Sequence, residues 1–181
     1  MKRNAEKKEG KYNVLALDPS LTAFGWAVIS GRKIITFGCE KTEPAKQKTR
    51  IRKGDDRMQR IAKLVSALID ICNRYEIALI VSELPHGSQS AVAATALGLV
   101  SGMVQTFADV KEIPLEWFSE ADSKLSLLGK RSATKEETIT KVNAHFDVKW
   151  TGVKYKDEAV ADAISIYFHA EKYSPILKYL K

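Results

Sequence analysis

A chain of 181 residues that is 45% hydrophobic and 28% charged has the composition of an ordinary globular protein with one sizeable core, which excludes disorder as the default. Its 29 Lys and Arg against 22 Asp and Glu leave a net charge of +7, which favours a polyanionic partner, nucleic acid before a membrane surface. Cys39 and Cys72 stand alone, without C-x-x-C pairing or His at metal spacing, so a disulfide framework and a zinc site are not expected and a reducing, intracellular setting is. The opening MKRNAEKKEGK is too polar for a secretory signal, and no apolar run reads as long enough to span a bilayer, so no membrane partner is expected. Residues 1–11 read as a flexible basic tail and 12–181 as a single domain.

The first element is the run Val14-Leu15-Ala16-Leu17, which lacks alternation and so reads as a strand buried on both faces, ending in a carboxylate at Asp18. An Asx-turn before Pro19 is the simplest account of Asp18 taken alone. Gly25–Ser30 and Lys33–Cys39 predict two further strands around a tight Ser30-Gly31-Arg32 turn. Lys41–Gly54 has no periodicity and carries Lys46, Lys48, Arg50, Arg52 and Lys53; it reads as a solvated loop or as an arm that contacts phosphates. Asp55–Tyr75 has the three- and four-residue apolar spacing of an amphipathic helix. Ile77–Val81 is a second continuous apolar strand, and it too runs into a carboxylate, Glu83. Ser88–Phe107 predicts a helix rich in small residues, with Gly98 and Gly102 four apart, suited to close packing. Ile113–Trp117 predicts a short strand and Ser119–Leu128 a short helix. Thr134 with Glu137 is a capping-box signature for a helix to Phe146, and Lys154–Tyr173 is the last helix, closed by Pro175.

This order implies an α/β fold with a five-stranded mixed sheet: three antiparallel strands first, then strands joined by helical crossovers and parallel to the first. Parallel strands end at one edge, where sites of open α/β sheets lie, so Asp18 and Glu83 meet if their strands are neighbours. In the last helix Glu158 and Asp162 are four apart on one face, with His169 further along that side. Asp157 and Glu158 suit the positive end of the helix dipole, whereas Asp162 lies past the first turn among apolar residues. A carboxylate there, beside Asp18 and Glu83, requires a cation between them. An all-oxygen acid set suits Mg²⁺ or Mn²⁺, and two such ions about 3.5–4 Å apart are the arrangement that hydrolyses phosphodiesters.

LALDPSLTAFGWAV, IVSELP, SAVAATALGLVSGMV, DSKLSLLGKRSATKEETITKV and EAVADAISIYFHA together resemble the RuvC family of Holliday junction resolvases, over about residues 12 to 172. The resemblance implies the RNase H-like fold and a homodimer that nicks a four-way DNA junction in pairs with Mg²⁺, leaving 5′-phosphate and 3′-hydroxyl ends. It makes Asp18, Glu83 and Asp162 metal-holding acids, and it makes Lys124 and Lys135 basic groups that approach the scissile strand. The family's further acid, three residues before Asp162, is Ala159 here; Glu158 is the expected substitute, with Asp157 behind it. His86 stands where the family has an aromatic residue that stacks on a base. The basic loop, with Lys130 and Arg131, is expected on phosphates, and the helices 55–75 and 88–107 at the dimer surface. Another branched or hybrid substrate, or a junction-binding module without catalysis, is the alternative reading.

Overall fold

The computed structural model describes residues 12–46, 50–84, 86–87 and 90–180, and these described residues form five strands and six helices. The strands are β1 (Asn13–Asp18), β2 (Ala23–Ser30), β3 (Lys33–Lys41), β4 (Ile77–Leu84) and β5 (Leu115–Ser119). The helices are α1 (Lys53–Arg74), α2 (Ala91–Val110), α3 (Glu120–Leu128), α4 (Lys135–His145), α5 (Lys154–Tyr173) and α6 (Pro175–Leu180). One sheet has the order β3-β2-β1-β4-β5, with β1–β2 and β2–β3 antiparallel and β1–β4 and β4–β5 parallel. This is the mixed sheet that the element order implies. The expected 1–11 tail lies outside the described residues.

The central strand explains the two layers. Val14, Leu15, Ala16 and Leu17 are all essentially inaccessible, and they alternate between two cores. Val14 and Ala16 join Leu79 and Val81 of β4 beneath α5, with α3, α4 and α6 completing that side. Leu15 and Leu17 join Ile80 beneath α1 and α2. A strand covered on both faces needs apolar residues at every position, hence the lack of alternation.

The long contact is α5 on the sheet. Ala159 to Ile164 are buried without interruption, because α5 has the sheet beneath it and α3 and α4 against its sides. Small residues permit this approach: a Cβ on Gly25 would lie 2.3 Å from the Ala159 carbonyl oxygen. Gly25 pairs with Asp18 across the β1–β2 ladder, so this close helix–sheet approach is beside the first acid.

Some boundaries differ from the sequence expectation. Helix α2 and strand β5 both start and end later, because the Ile113 N–H closes α2 on the Ala108 carbonyl at 3.0 Å and cannot join a ladder. Pro175 does not merely end α5. Ser174 accepts from the Leu177 N–H at 2.8 Å, and Pro175 opens α6, where a missing N–H costs nothing. The capping box at Thr134 and Glu137 is present as expected. The expectation that no segment is long and apolar enough to cross a membrane is corrected by α2, 20 residues long with mean hydropathy 1.5. Its inner side, Val100, Met103, Val104, Phe107 and Ala108, is part of the core, while Val92 and Val110 are exposed.

Gly25→Ala is expected to destabilise the protein by about 1–3 kcal/mol, because the added methyl forces α5 off β2. Urea unfolding checks this; Gly54→Ala, in open space, is the control expected to change stability little.

Candidate active site

Strand pairing sets the first two acids side by side. Leu17 pairs with Ser82, so the next step of the parallel ladder brings Asp18 against Glu83, with adjacent strands about 4.8 Å apart. Side chains alternate, and Val14, Ala16 and Leu79, Val81 face α5; Asp18 and Glu83 continue those rows on the same face. Asp162 comes down from α5 and is only 6% exposed. Asp18, Glu83 and Asp162, three of the four acids that the sequence picks out, therefore share one rim of the sheet.

A fourth carboxylate joins them that sequence reasoning missed. Glu83 pairs with Phe118 of β5, which faces the α5 core, and Glu120 follows two residues later in the same row. LEWFSE ends in an acid just as IVSE does. The signal was hidden because the predicted strand stopped at Trp117, and acids are common at the start of a helix.

The electrostatics reflect this crowding. Burial raises Asp18 well above the ordinary carboxylate range, and the charges of Asp162 and Glu83 raise it further. Burial, then Glu120 and Asp162, push Glu83 up to about 7 from an ordinary 4.5. Burial also raises Asp162, against the pull of Lys135. Lys135 is the cation these groups share: its ammonium is bonded to Asp162 and its charge acts on Asp18, Glu83 and Glu120 as well. Lys124 is paired with Glu120 and contributes at Glu83 and Asp162. Both lysines named from the resemblance thus stand at the acid rim.

Among the described residues, no three His, Cys, Asp or Glu side chains converge closely enough, as they stand, to chelate one ion. The lysine ammonium is bonded into the cluster instead. The donor set nonetheless fits a hard cation, being all oxygen and held at a cost that a divalent charge would offset.

Other expected site residues fall elsewhere. Asp157 is buried as a loop anchor, accepting from Thr151 N at 2.9 Å, Thr151 Oγ1 at 2.7 Å and Gly152 N at 2.9 Å, which corrects its candidacy as an acid of the pocket. Glu158 lies 3.8 Å from Lys154 and is not among the dominant charges at Asp18, Glu83 or Asp162. His86 is exposed and close enough to Glu120 to lower its pKa. His169 bonds Ser126 at 2.6 Å and packs on Phe118 and Tyr173, a structural role.

Lys46, Arg50, Arg52 and Lys53 are exposed, and Lys48 lies outside the described residues. Arg52 is paired with Asp55, Lys130 with Glu137 and Arg131 with Asp122. The basic loop begins at the acid rim because Thr42 and the buried Arg60 bind the turn after Asp18. Thr42 N donates to the Thr22 carbonyl at 3.0 Å; Arg60 donates to Thr42 Oγ1 at 2.7 Å and to the Leu21 carbonyl at 3.3 Å. Nothing in the sequence distinguished Arg60 from the other basic residues of its helix.

Comparison with known proteins bears on this arrangement. No family model matches the chain. It is 26% identical over 159 residues to the crossover junction endodeoxyribonuclease RuvC of Ehrlichia ruminantium (strain Gardel), covering 84% of this chain and 94% of that protein. It is 24% identical over 151 residues to the same-named protein of Ehrlichia chaffeensis, covering 83% and 93%. Thermus thermophilus RuvC, solved in complex with a Holliday junction substrate, superimposes with a TM-score of 0.73 at 19% identity, over 90% of this chain and 94% of that one. The yeast mitochondrial Holliday junction resolvase does so with a TM-score of 0.63 at 14% identity, over 94% and 82%. The chain resembles the RuvC resolvases in sequence and has their fold, the RNase H-like one. Those relatives match it across nearly their whole lengths.

The raised pKa of Glu83 has a signed consequence for stability. Between about 4.5 and about 7 the folded chain holds a proton that the unfolded chain has released. In metal-free buffer, Glu83's contribution to stability is therefore complete below 4.5 and is lost as pH rises through 7. Glu83→Gln removes that loss, and should raise Tm at pH 8 by several degrees, corresponding to about 1–2 kcal/mol, with little gain at pH 4.5. Thermal melts in EDTA at the two pH values measure the difference.

Proposed function

We propose that this chain is a divalent-metal-dependent endonuclease that resolves four-way DNA junctions by paired nicks, in DNA recombination, repair or phage DNA processing. The observation that carries the reading is the meeting of Asp18, Glu83 and Asp162 at one rim, on the face covered by α5, with the ammonium of Lys135 among them. The relatives named as crossover junction endodeoxyribonucleases support the substrate.

Asp18, Glu83 and Asp162 would hold two Mg²⁺ ions, with Mn²⁺ as a substitute. Ions bound there supply Lewis-acid activation of water and neutralise charge developing on the leaving 3′ oxygen. The chain's own contribution is placement. The two strand-end acids are set by the ladder, Asp162 by the α5 contact, and Lys135 neutralises the cluster until an ion and DNA arrive. Lys124 and Lys135 lie where a scissile phosphate would approach the acids, and their charge favours its binding. Lys46, Arg50, Arg52, Lys53, Lys130 and Arg131 contact neighbouring phosphates, giving affinity that falls steeply with salt. His86, at the rim, stacks on a base near the crossover. Two cysteines without a disulfide support a reducing, intracellular setting.

A second copy of the chain is the partner. The outward side of α2 supports this: Val92 and Val110 are 64% and 76% exposed, and a Cβ at Gly98 or Gly102 would meet nothing within 4 Å. A helix surface of mostly small and apolar residues, with Asp109 as its one charge, suits a symmetric helix–helix contact on a basic protein.

Asp18→Asn, Glu83→Gln and Asp162→Asn should each lower cleavage of a synthetic immobile junction by about a thousandfold or more, while gel-shift affinity for the junction in EDTA stays within about threefold. Retained cutting removes that residue from the pocket, and cutting of an RNA–DNA hybrid in preference to the junction redirects the substrate. Gly98→Arg, at a position where a Cβ meets nothing within 4 Å, should convert a dimer to the 20.2 kDa monomer without loss of helicity, as read by analytical ultracentrifugation and circular dichroism.

A further inference from the structure

Three strands deliver acids to the rim, while the sequence assigns the last place to α5. Row by row on the α5 face, β1 runs Val14, Ala16, Asp18; β4 runs Leu79, Val81, Glu83; and β5 runs Glu116, Phe118, Glu120. Glu116 bonds Ser174 at the α5–α6 junction, and Phe118 lies in the α5 core, so the row's side is fixed by two contacts. Ser119 is still extended, with φ −75° and ψ 144°, which carries the alternation up to Glu120, the first residue of α3. By the β4–β5 register Glu120 stands two residues beyond the position opposite Glu83, toward the open end of the rim.

The alternatives on α5 are spent elsewhere. Position 159 is an alanine pressed on Gly25, Asp157 holds the turn at Thr151 and Gly152, and Glu158 is turned to Lys154. Glu120, by contrast, is bonded to Lys124 and faces Lys135, the same two lysines that face Asp162 and Glu83. Two cations drawn into one group of acids mark where positive charge is needed.

We infer that Glu120 supplies the fourth carboxylate of the ion-holding cluster, the place that the sequence alone gives to Glu158. This rests on the reading of the rim as a divalent-metal site. In the ion-free chain Lys124 neutralises Glu120. An ion held by Glu120 would replace that ammonium as its partner and leave Lys124, four residues along α3, free for a phosphate. The cluster is thereby completed from the sheet edge rather than from the helix, and the α5 position left by Ala159 is not required.

The test is Mn²⁺ titration of the DNA-free protein by calorimetry, with the ion-induced rise in Tm as a second readout and junction cleavage as a third. Glu120→Gln should weaken Mn²⁺ binding by about tenfold or more and reduce cleavage at least as much, whereas Glu158→Gln stays within about twofold of wild type in both. Lys124→Met separates holding the ion from positioning the lysine. It should bind Mn²⁺ at least as tightly as wild type while cutting more slowly. If Glu120 acted only by holding Lys124, Glu120→Gln would keep wild-type Mn²⁺ affinity. That result, or a larger loss in Glu158→Gln, overturns the assignment. A wild-type protein that binds Mn²⁺ and cuts, beside an unaffected Glu120→Gln, refutes this assignment alone. A wild-type protein that neither binds Mn²⁺ nor cuts refutes the metal-nuclease reading and this assignment with it.

Discussion

Everything at the rim depends on how closely α5 lies on the sheet. The contact of Ala159 with Gly25 leaves no room for a single methyl, and Gly25 is the ladder partner of Asp18. That one approach sets the height of α5 over β1 and therefore the distance from Asp162 to the strand-end acids. Alanines at 159, 161 and 163 allow the helix to sit low, and Val160, Ile164 and Ile166 anchor it in the core. A rigid helix on a rigid sheet is a better holder of converging charges than any loop would be. The chain puts the basic segment after β3 at the margin, and Arg60 and Thr42 tie its start to the turn that follows Asp18.

The same closeness works against stability. Asp18, Glu83 and Asp162 all have raised pKa values with burial as the first cause, so ionising them in place opposes folding. Lys135 reduces the opposition without removing it. A buried like-charge group persists in a fold only where some function uses it, because an apolar replacement would be better tolerated. The raised values and the two lysines are thus parts of one arrangement: the rim is built for more positive charge than the polypeptide carries there.

Much of this was legible in the sequence, for identifiable reasons. Strands buried on both faces announce themselves by unbroken apolar runs, and an acid closing such a run stands out; Asp18 and Glu83 were visible in that way. Asp162 was visible because acids are out of place among alanines and isoleucines. Helical spacing, however, gives only a face and not a partner. Glu158 shares the face of Asp162 yet turns to Lys154, and Asp157 spends its carboxylate on the preceding turn. Glu120 was missed because β5 is short and its residues are only partly buried, so its end is poorly marked, and because acids at helix starts are common. The outward half of α2 was also unreadable: small and apolar residues around most of its length give little sign of which side the core takes.

The order of elements ties the rim to the outer surface of α2. From Glu83 the chain passes through the segment bearing His86 and enters α2 at Ala91, so a connection of a few residues separates an acid of the site from the apolar helix. The acid and the helix belong to opposite layers: Glu83 faces α5, while the inner side of α2 packs on Leu15, Leu17 and Ile80. In the proposed dimer a two-fold axis through α2 would therefore relate two rims through β4, an inner strand of the sheet, and not through a mobile linker. The separation between the two sites would be set by the core that α2 shares with Leu15, Leu17 and Ile80, which has little slack. Such stiffness suits a substrate whose two target phosphates are themselves held at a fixed spacing by the symmetry of a four-way junction. It suits a linear duplex or hybrid less, since neither presents two equivalent strands across a two-fold axis at that spacing.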